Sequence, residues 1–144
     1  MIGGSLTRKP AKGHSFLWQN GKMRDLGTLG RYPPTSEAVA INDRGWITGD
    51  SPATGGRHPF LWRNGKMIDL GGGADQAVAI NERDQVLCGT SVWQNGKRAT
   101  LPALSPQRSW TTAVAINEQN QVVGSSTTAR GRGRAVLWTL EPGS

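Results

Sequence analysis

Ala38-Val39-Ala40-Ile41-Asn42, followed by Asp43-Arg44-Gly45, is the stretch that decides the fold. The same five residues return at Ala77 to Asn81 and at Ala113 to Asn117, 39 and then 36 residues further on. Each copy is a short apolar run that stops at an Asn. After it comes a four-residue turn whose last position is Gly45, Asp84 or Asn120, residue types that tolerate the positive φ of a hairpin turn with a following bulge. A strand that repeats at this interval marks a repeat architecture, and four strands in about 40 residues is the blade period of a β-propeller.

Working outward, the rest of the unit follows. Asn20-Gly21, Asn64-Gly65 and Asn95-Gly96 each sit between short apolar segments, a strong hairpin signal because both turn residues adopt positive φ readily. A two-residue turn places Trp18 opposite Met23, Trp62 opposite Met67 and Trp93 opposite Arg98. The unit therefore reads as strand, turn, strand, loop, Trp-bearing strand, Asn-Gly turn, strand. The third copy runs from Gly89 to Trp93 with room only for a tight turn, so it has lost a loop and kept its strands. The first copy is represented by strands three and four (His14 to Trp18 and Met23 to Gly27), and the last by strands one to three (Ala113 to Trp138).

The expected fold class is all-β: four-stranded repeat units, β-propeller-like, with three to four blades per chain. Propellers typically carry about four to eight blades. Completion of the ring by a second chain is one arrangement this count suggests, and a smaller closed or two-sheet β structure is the other. The expected domains are a basic N-terminal arm over 1–13, a β-repeat domain over 14–138 and a C-terminal tail over 139–144.

The run His14 to Gly30 (HSFLWQNGKMRDLGTLG), followed by Ser36 and Ala38 to Asn42, resembles the bacterial HAF repeat family. The likeness extends over most of residues 14–138, with spaced His, Trp, Asn-Gly, Asp-Leu-Gly and Ala-Ile-Asn recurring together. The family's members are described as extracellular repeat proteins, so the resemblance implies a repeat scaffold and an extracellular setting, and no particular reaction. The third copy departs from the pattern: it reads Ser91-Val92-Trp93 and Ala99-Thr100-Leu101 where the family has His and Asp-Leu-Gly.

Composition narrows the function classes. There are 17 Lys plus Arg against 10 Asp plus Glu, a net charge of +7, which makes an anionic partner plausible: nucleic acid, acidic polysaccharide, a membrane surface or a small phosphate. Cys88 is the single cysteine, which excludes an intrachain disulfide and a Cys-based zinc site. No apolar run approaches the length of a membrane helix, and Met1 to Gly13 has no apolar segment of the kind a secretory signal needs. The chain is expected to be soluble, with its compartment set only by the family resemblance.

No Gly-x-Ser-x-Gly, Walker or dinucleotide spacing is present. No cofactor, metal or catalytic set is therefore expected, and a non-catalytic binding module is the favoured reading. The alternatives are an enzyme, with His58 and Asp50 as acid–base candidates, and a structural or adhesive repeat. His14, His58, Asp25 and Asp69 recur in register with the unit, which points to turn and interstrand hydrogen bonding. Trp18, Trp62, Trp93 and Trp138 also recur in register and are expected to pack.

Charge placement suggests where a ligand sits. In an up-and-down blade the second loop and the connection to the next blade share one end. That end collects Arg57, Arg130, Arg132 and Arg134 from the loops, and Arg31, Tyr32, Arg108 and Trp110 from the connections. Arg8, Lys9 and Lys12 of the N-terminal arm enter from the same end, against Glu37, Asp50, Asp75 and Glu141. The loop and connection residues Arg57, Arg130, Arg132, Arg134, Arg31, Tyr32, Arg108 and Trp110 are the candidate ligand-binding set, with the guanidinium groups offering bidentate contacts to phosphate or carboxylate and Tyr32 and Trp110 as stacking platforms. The expected partner is an anionic or carbohydrate-like ligand or a protein, with nucleic acid and a homo-oligomer among the possibilities.

Overall fold

The computed structural model describes residues 1–6, 13–30, 33–72, 75–107 and 110–141. Every regular element among them is a β-strand, and the strands form four antiparallel sheets. The chain divides into two compact units, Met1–Ala77 and Val78–Ser144.

In the first unit, β1 (Ile2–Leu6), β2 (Gly13–Gln19) and β3 (Lys22–Asp25) make a three-stranded sheet. Beside it β4 (Glu37–Ile41), β5 (Ile47–Ala53), β6 (Gly56–Arg63) and β7 (Lys66–Asp69) make a four-stranded one. Strand β1 lies inside the stretch expected to be a basic arm. It pairs along β2, with Ile2 opposite Leu17 and Gly3 opposite Phe16, and so occupies the position of a second repeat strand. Gly3 is needed there, because a Cβ would fall 2.5 Å from Phe16 Cζ. A Gly-Gly pair with no alternation gives little strand signal, so this element was not foreseen.

In the second unit, β8 (Ala77–Ile80), β9 (Val86–Cys88), β10 (Ser91–Gln94) and β11 (Lys97–Thr100) form a four-stranded sheet. There β12 (Thr111–Ile116), β13 (Gln121–Thr127) and β14 (Gly133–Thr139) form a three-stranded one. The third copy keeps four strands around the short turn at Gly89 and Thr90, as its spacing required.

Turn chemistry sets the register. Asn20-Gly21, Asn64-Gly65 and Asn95-Gly96 all have positive φ, from 51° to 78°, and the pairs Trp18–Met23, Trp62–Met67 and Trp93–Arg98 fall opposite one another. Gly45, Asp84 and Asn120 close the other turn at φ of 79°, 65° and 60°. The repeated Asn has a specific task there. Asn81 Oδ1 accepts the N–H groups of Arg83 and Gln85, each at 3.0 Å, and Asn42 and Asn117 do the same for their own turns. An Asn side chain thus satisfies two backbone donors that the hairpin leaves unpaired.

Register slips by one residue between Ala38 and Ala40 and between Ala113 and Ala115, so Val39 and Val114 form bulges and point to solvent. Gly49 and Gly124 lie against these bulges. A Cβ on either would overlap the carbonyl oxygen of Glu37 or Thr112 and lie 2.8 Å from Ala38 Cα or Ala113 Cα.

Each unit has its own core. Leu17, Leu26, Ile47, Phe60 and Trp62 pack together in the first. Leu87, Val92, Leu101, Ala113, Val122 and Trp138 do so in the second.

Candidate functional site

The strongest basic-aromatic grouping is built at one end of the last sheet. Trp110 enters β12 from the connection that follows β11. Its backbone N–H donates to Thr127 Oγ1 at 3.0 Å, and its carbonyl accepts the Thr127 N–H at 3.1 Å. Thr127 pairs in turn with Gly133 across β13 and β14. Arg130 and Arg132 lie in the intervening turn, and Arg134 lies at the start of β14. The indole of Trp110 and all three arginines are exposed. No carboxylate lies within ion-pair distance of Arg130, Arg132 or Arg134 among the described residues.

A hydroxyl latches the connection that carries Trp110. Ser126 Oγ accepts the Leu104 N–H at 3.1 Å and contacts Thr111 Oγ1 at 3.1 Å. Trp138 Nε1 donates to the Pro102 carbonyl at 2.9 Å. In the first unit the matching serine does the same work, with Ser51 Oγ accepting the Leu29 N–H and donating to the Thr35 carbonyl. The end of the sheet where the second loop and the connection meet is therefore a hydrogen-bonded platform rather than a loose loop.

Arg57 lies in β6. It belongs to the first unit, where its Nη2 donates to the Asp50 carbonyl at 3.3 Å and lies 3.7 Å from Glu37 Oε2. It is held by its own sheet. Arg31, Tyr32 and Arg108 lie outside the described residues, as do Arg8, Lys9 and Lys12.

The in-register histidines are strand ties. His14 Nδ1 meets Asp25 Oδ2 at 2.8 Å and His58 Nδ1 meets Asp69 Oδ1 at 2.9 Å. Each aspartate also accepts a backbone N–H two residues on, from Gly27 at 2.7 Å and Gly71 at 2.8 Å. His and Asp form one device, which explains why the third copy lacks both. His58 is thus committed to Asp69, while Asp50 Oδ1 accepts the Ala77 N–H at 3.1 Å. Burial raises the Asp50 pKa above the ordinary carboxylate value; the Ala77 N–H and Arg57 oppose the rise and Glu37 adds to it. Among the described residues no group of three or more His, Cys, Asp or Glu could hold a metal ion.

A second cationic grouping was not anticipated. At the turn end of the first unit, Arg24 stacks over Trp62 at 5.2 Å, and Arg63 and Arg44 stack on Trp46 at 5.0 and 5.7 Å. Arg24, Arg44, Trp46 and Trp62 line a shallow cleft of about 190 Å³. The only signal for it in the sequence was Trp46, which stands where Gln85 and Gln121 stand in the other copies.

No family model matches the chain, and no curated protein matches it. Among solved structures, the chain is similar to the β-propeller domain of the Trilobed protease from Pyrococcus furiosus, described as having an open velcro topology. The TM-score is 0.60 at 12% identity, and the match covers 97% of this chain and 49% of that one. The chain therefore spans about half the length of the propeller it resembles. At this identity the likeness speaks to fold alone: the chain is all-β and β-propeller-like, in sheets of three to four antiparallel strands.

Proposed function

We propose that this chain is a non-catalytic β-repeat binding module that holds an anionic or sugar-like ligand, or a protein partner, at the Trp110 end of the last sheet. The observation that carries the reading is the Trp110–Thr127 backbone pairing, which fixes an exposed indole at the same sheet end as Arg130, Arg132 and Arg134. Planar guanidinium groups contact phosphate, sulfate or carboxylate in bidentate fashion, and the indole offers a face for a base or a sugar ring. With nucleic acid as the ligand, binding is sequence-tolerant and falls steeply with salt. An extracellular HAF-like repeat belongs to the same reading, as does self-association, which the exposed apolar side chains of the first and last sheets favour.

The test is a thermal-shift panel of oligonucleotides, a heparin-like polyanion and neutral oligosaccharides at low and high salt, run beside Arg130→Ala/Arg132→Ala/Arg134→Ala. Stabilisation by polyanions that disappears in salt and in the triple variant is the expected result. Stabilisation by neutral sugars that depends on Trp110 alone would move the site to the indole. Stabilisation by none of the panel would overturn the ligand reading.

A further inference from the structure

Two rows of side chains, on opposite faces, run across every sheet. One contains the Trp of the third strand with its partners: Ile116, Val122 and Trp138 in the last sheet; Ile41, Ile47, Trp62 and Met67 in the second. The other contains the preceding Leu or Val: Ala115, Val123 and Leu137 in the last sheet; Leu87 and Val92 in the third. Inside each unit the rows meet in one sense only. Leu17 of the first sheet packs on Ile47 and Trp62 of the second. Leu87 and Val92 of the third pack on Val122 and Trp138 of the fourth. A Leu row receives the Trp row of the sheet that follows.

Two of these rows are exposed. Leu17, Leu61 and Val92 are 7%, 0% and 3% exposed, but Leu137 at the same repeat position is 58% exposed, and its cross-strand partner Val123 is 43% exposed. Trp62, Trp93 and Trp138 are 5%, 9% and 8% exposed, but Trp18 is 44% exposed, and its partner Met23 is 57% exposed. The exposed side chains keep the apolar character of their buried counterparts, which a solvated surface does not require. The last sheet presents an unoccupied Leu row, and the first presents an unoccupied Trp row.

We infer that the occupant of each is a second copy of this chain, with the Leu137 row of one copy seated on the Trp18 row of the other. The joint repeats a packing that this sequence already makes inside each of its own units, so the complementarity is built in. Two copies bring eight sheets, the upper end of the range in which propeller rings close, about four to eight blades. This inference deepens the self-association part of the functional reading and does not depend on the anion site.

Sedimentation equilibrium on the chain as given tests it. The wild type is expected at twice 15.4 kDa, and Trp18→Glu and Leu137→Glu each at the mass of one chain with unchanged melting. Leu104→Glu, at a position exposed to a similar degree but on the connection between sheets, is expected to leave the doubled mass intact. Mixing Trp18→Glu with Leu137→Glu restores the doubled mass, because one unaltered joint can still form. Met23→Glu replaces Trp18→Glu should the latter unfold. A monomeric wild type would sink self-association altogether and leave both rows to another occupant. Dissociation by only one of the two substitutions, or no recovery on mixing, would sink the Leu-on-Trp pairing while keeping self-association.

Discussion

Trp110 and Thr127 are joined by two hydrogen bonds: the Thr127 N–H donates to the Trp110 carbonyl at 3.1 Å, and the Trp110 N–H donates to Thr127 Oγ1 at 3.0 Å. The pairing extends the β12–β13 ladder by one residue and holds an aromatic side chain in solvent beside an arginine-rich turn. Thr127→Val keeps the shape and removes the acceptor, leaving one N–H to find water at a cost of about 1 kcal/mol. The expected outcome is faster limited proteolysis of the 102–112 connection and several-fold weaker polyanion binding, with global melting little changed. Unaltered cleavage and affinity would show that the ladder alone positions Trp110.

Asn81 is buried, and its side chain accepts from Arg83 and Gln85 and donates to Gln85 Oε1 at 2.6 Å and to the Asn117 carbonyl at 3.0 Å. Asn81→Ala strands the buried Gln85 N–H and the partly buried Arg83 N–H and is expected to cost about 3 kcal/mol in urea unfolding. Asn117→Ala, at an exposed copy of the same turn, is expected to cost about 1 kcal/mol, since water replaces the lost partner. Equal losses would mean that burial does not set the scale.

Gly49→Ala and Gly124→Ala should each destabilise by about 1 to 3 kcal/mol, the range for overpacking against backbone that can move only by opening the bulge. Gly4→Ala, where an added Cβ meets nothing within 4 Å, is the control expected to change stability little. The comparison is read from thermal or denaturant midpoints.

Asp25 and Asp50 are expected to respond to pH with opposite sign. Burial pushes Asp25 upward, but the Gly27 N–H and His14 outweigh it, and its native pKa lies below the ordinary value. Its stabilisation is present above the unfolded-state value and is lost as pH falls through the native one. Asp50 is raised, so its contribution is present below the unfolded-state value and is lost as pH rises through the native one. Melting temperatures between about pH 3 and about pH 8 should show Asp25→Asn below the wild type at neutral pH and Asp50→Asn level with it or above. Both differences should shrink in acid. Asp50→Asn melting lower at neutral pH would mean that the carboxylate's bond to the Ala77 N–H outweighs its burial.

Much of the architecture was legible because it is local. Asn-Gly pairs and the Asn-x-x-Gly turns dictate positive φ at defined positions, and a two-residue turn dictates which residues face each other, so the Trp–Met register could be written from residue types alone. The His and Asp ties were legible as in-register features for the same reason, although their pairing with each other needed the strands side by side. The β1 strand was not legible, because Ile2-Gly3-Gly4 has neither alternation nor a turn signal and is defined only by its partner β2. Nor was the contact of Arg57 with Glu37 and the Asp50 carbonyl, since both partners come from other strands of the sheet.

The four in-register tryptophans mark the boundary. Their sequence context is nearly the same, and by itself it determined that each sits in a third strand next to an Asn-Gly or matching turn. Whether the indole is core or surface was decided only by tertiary structure, because burial depends on whether another sheet lies over that face. Trp62 and Trp138 are covered within their units by the Leu rows of neighbouring sheets, while Trp18, on the first sheet, is left open to solvent.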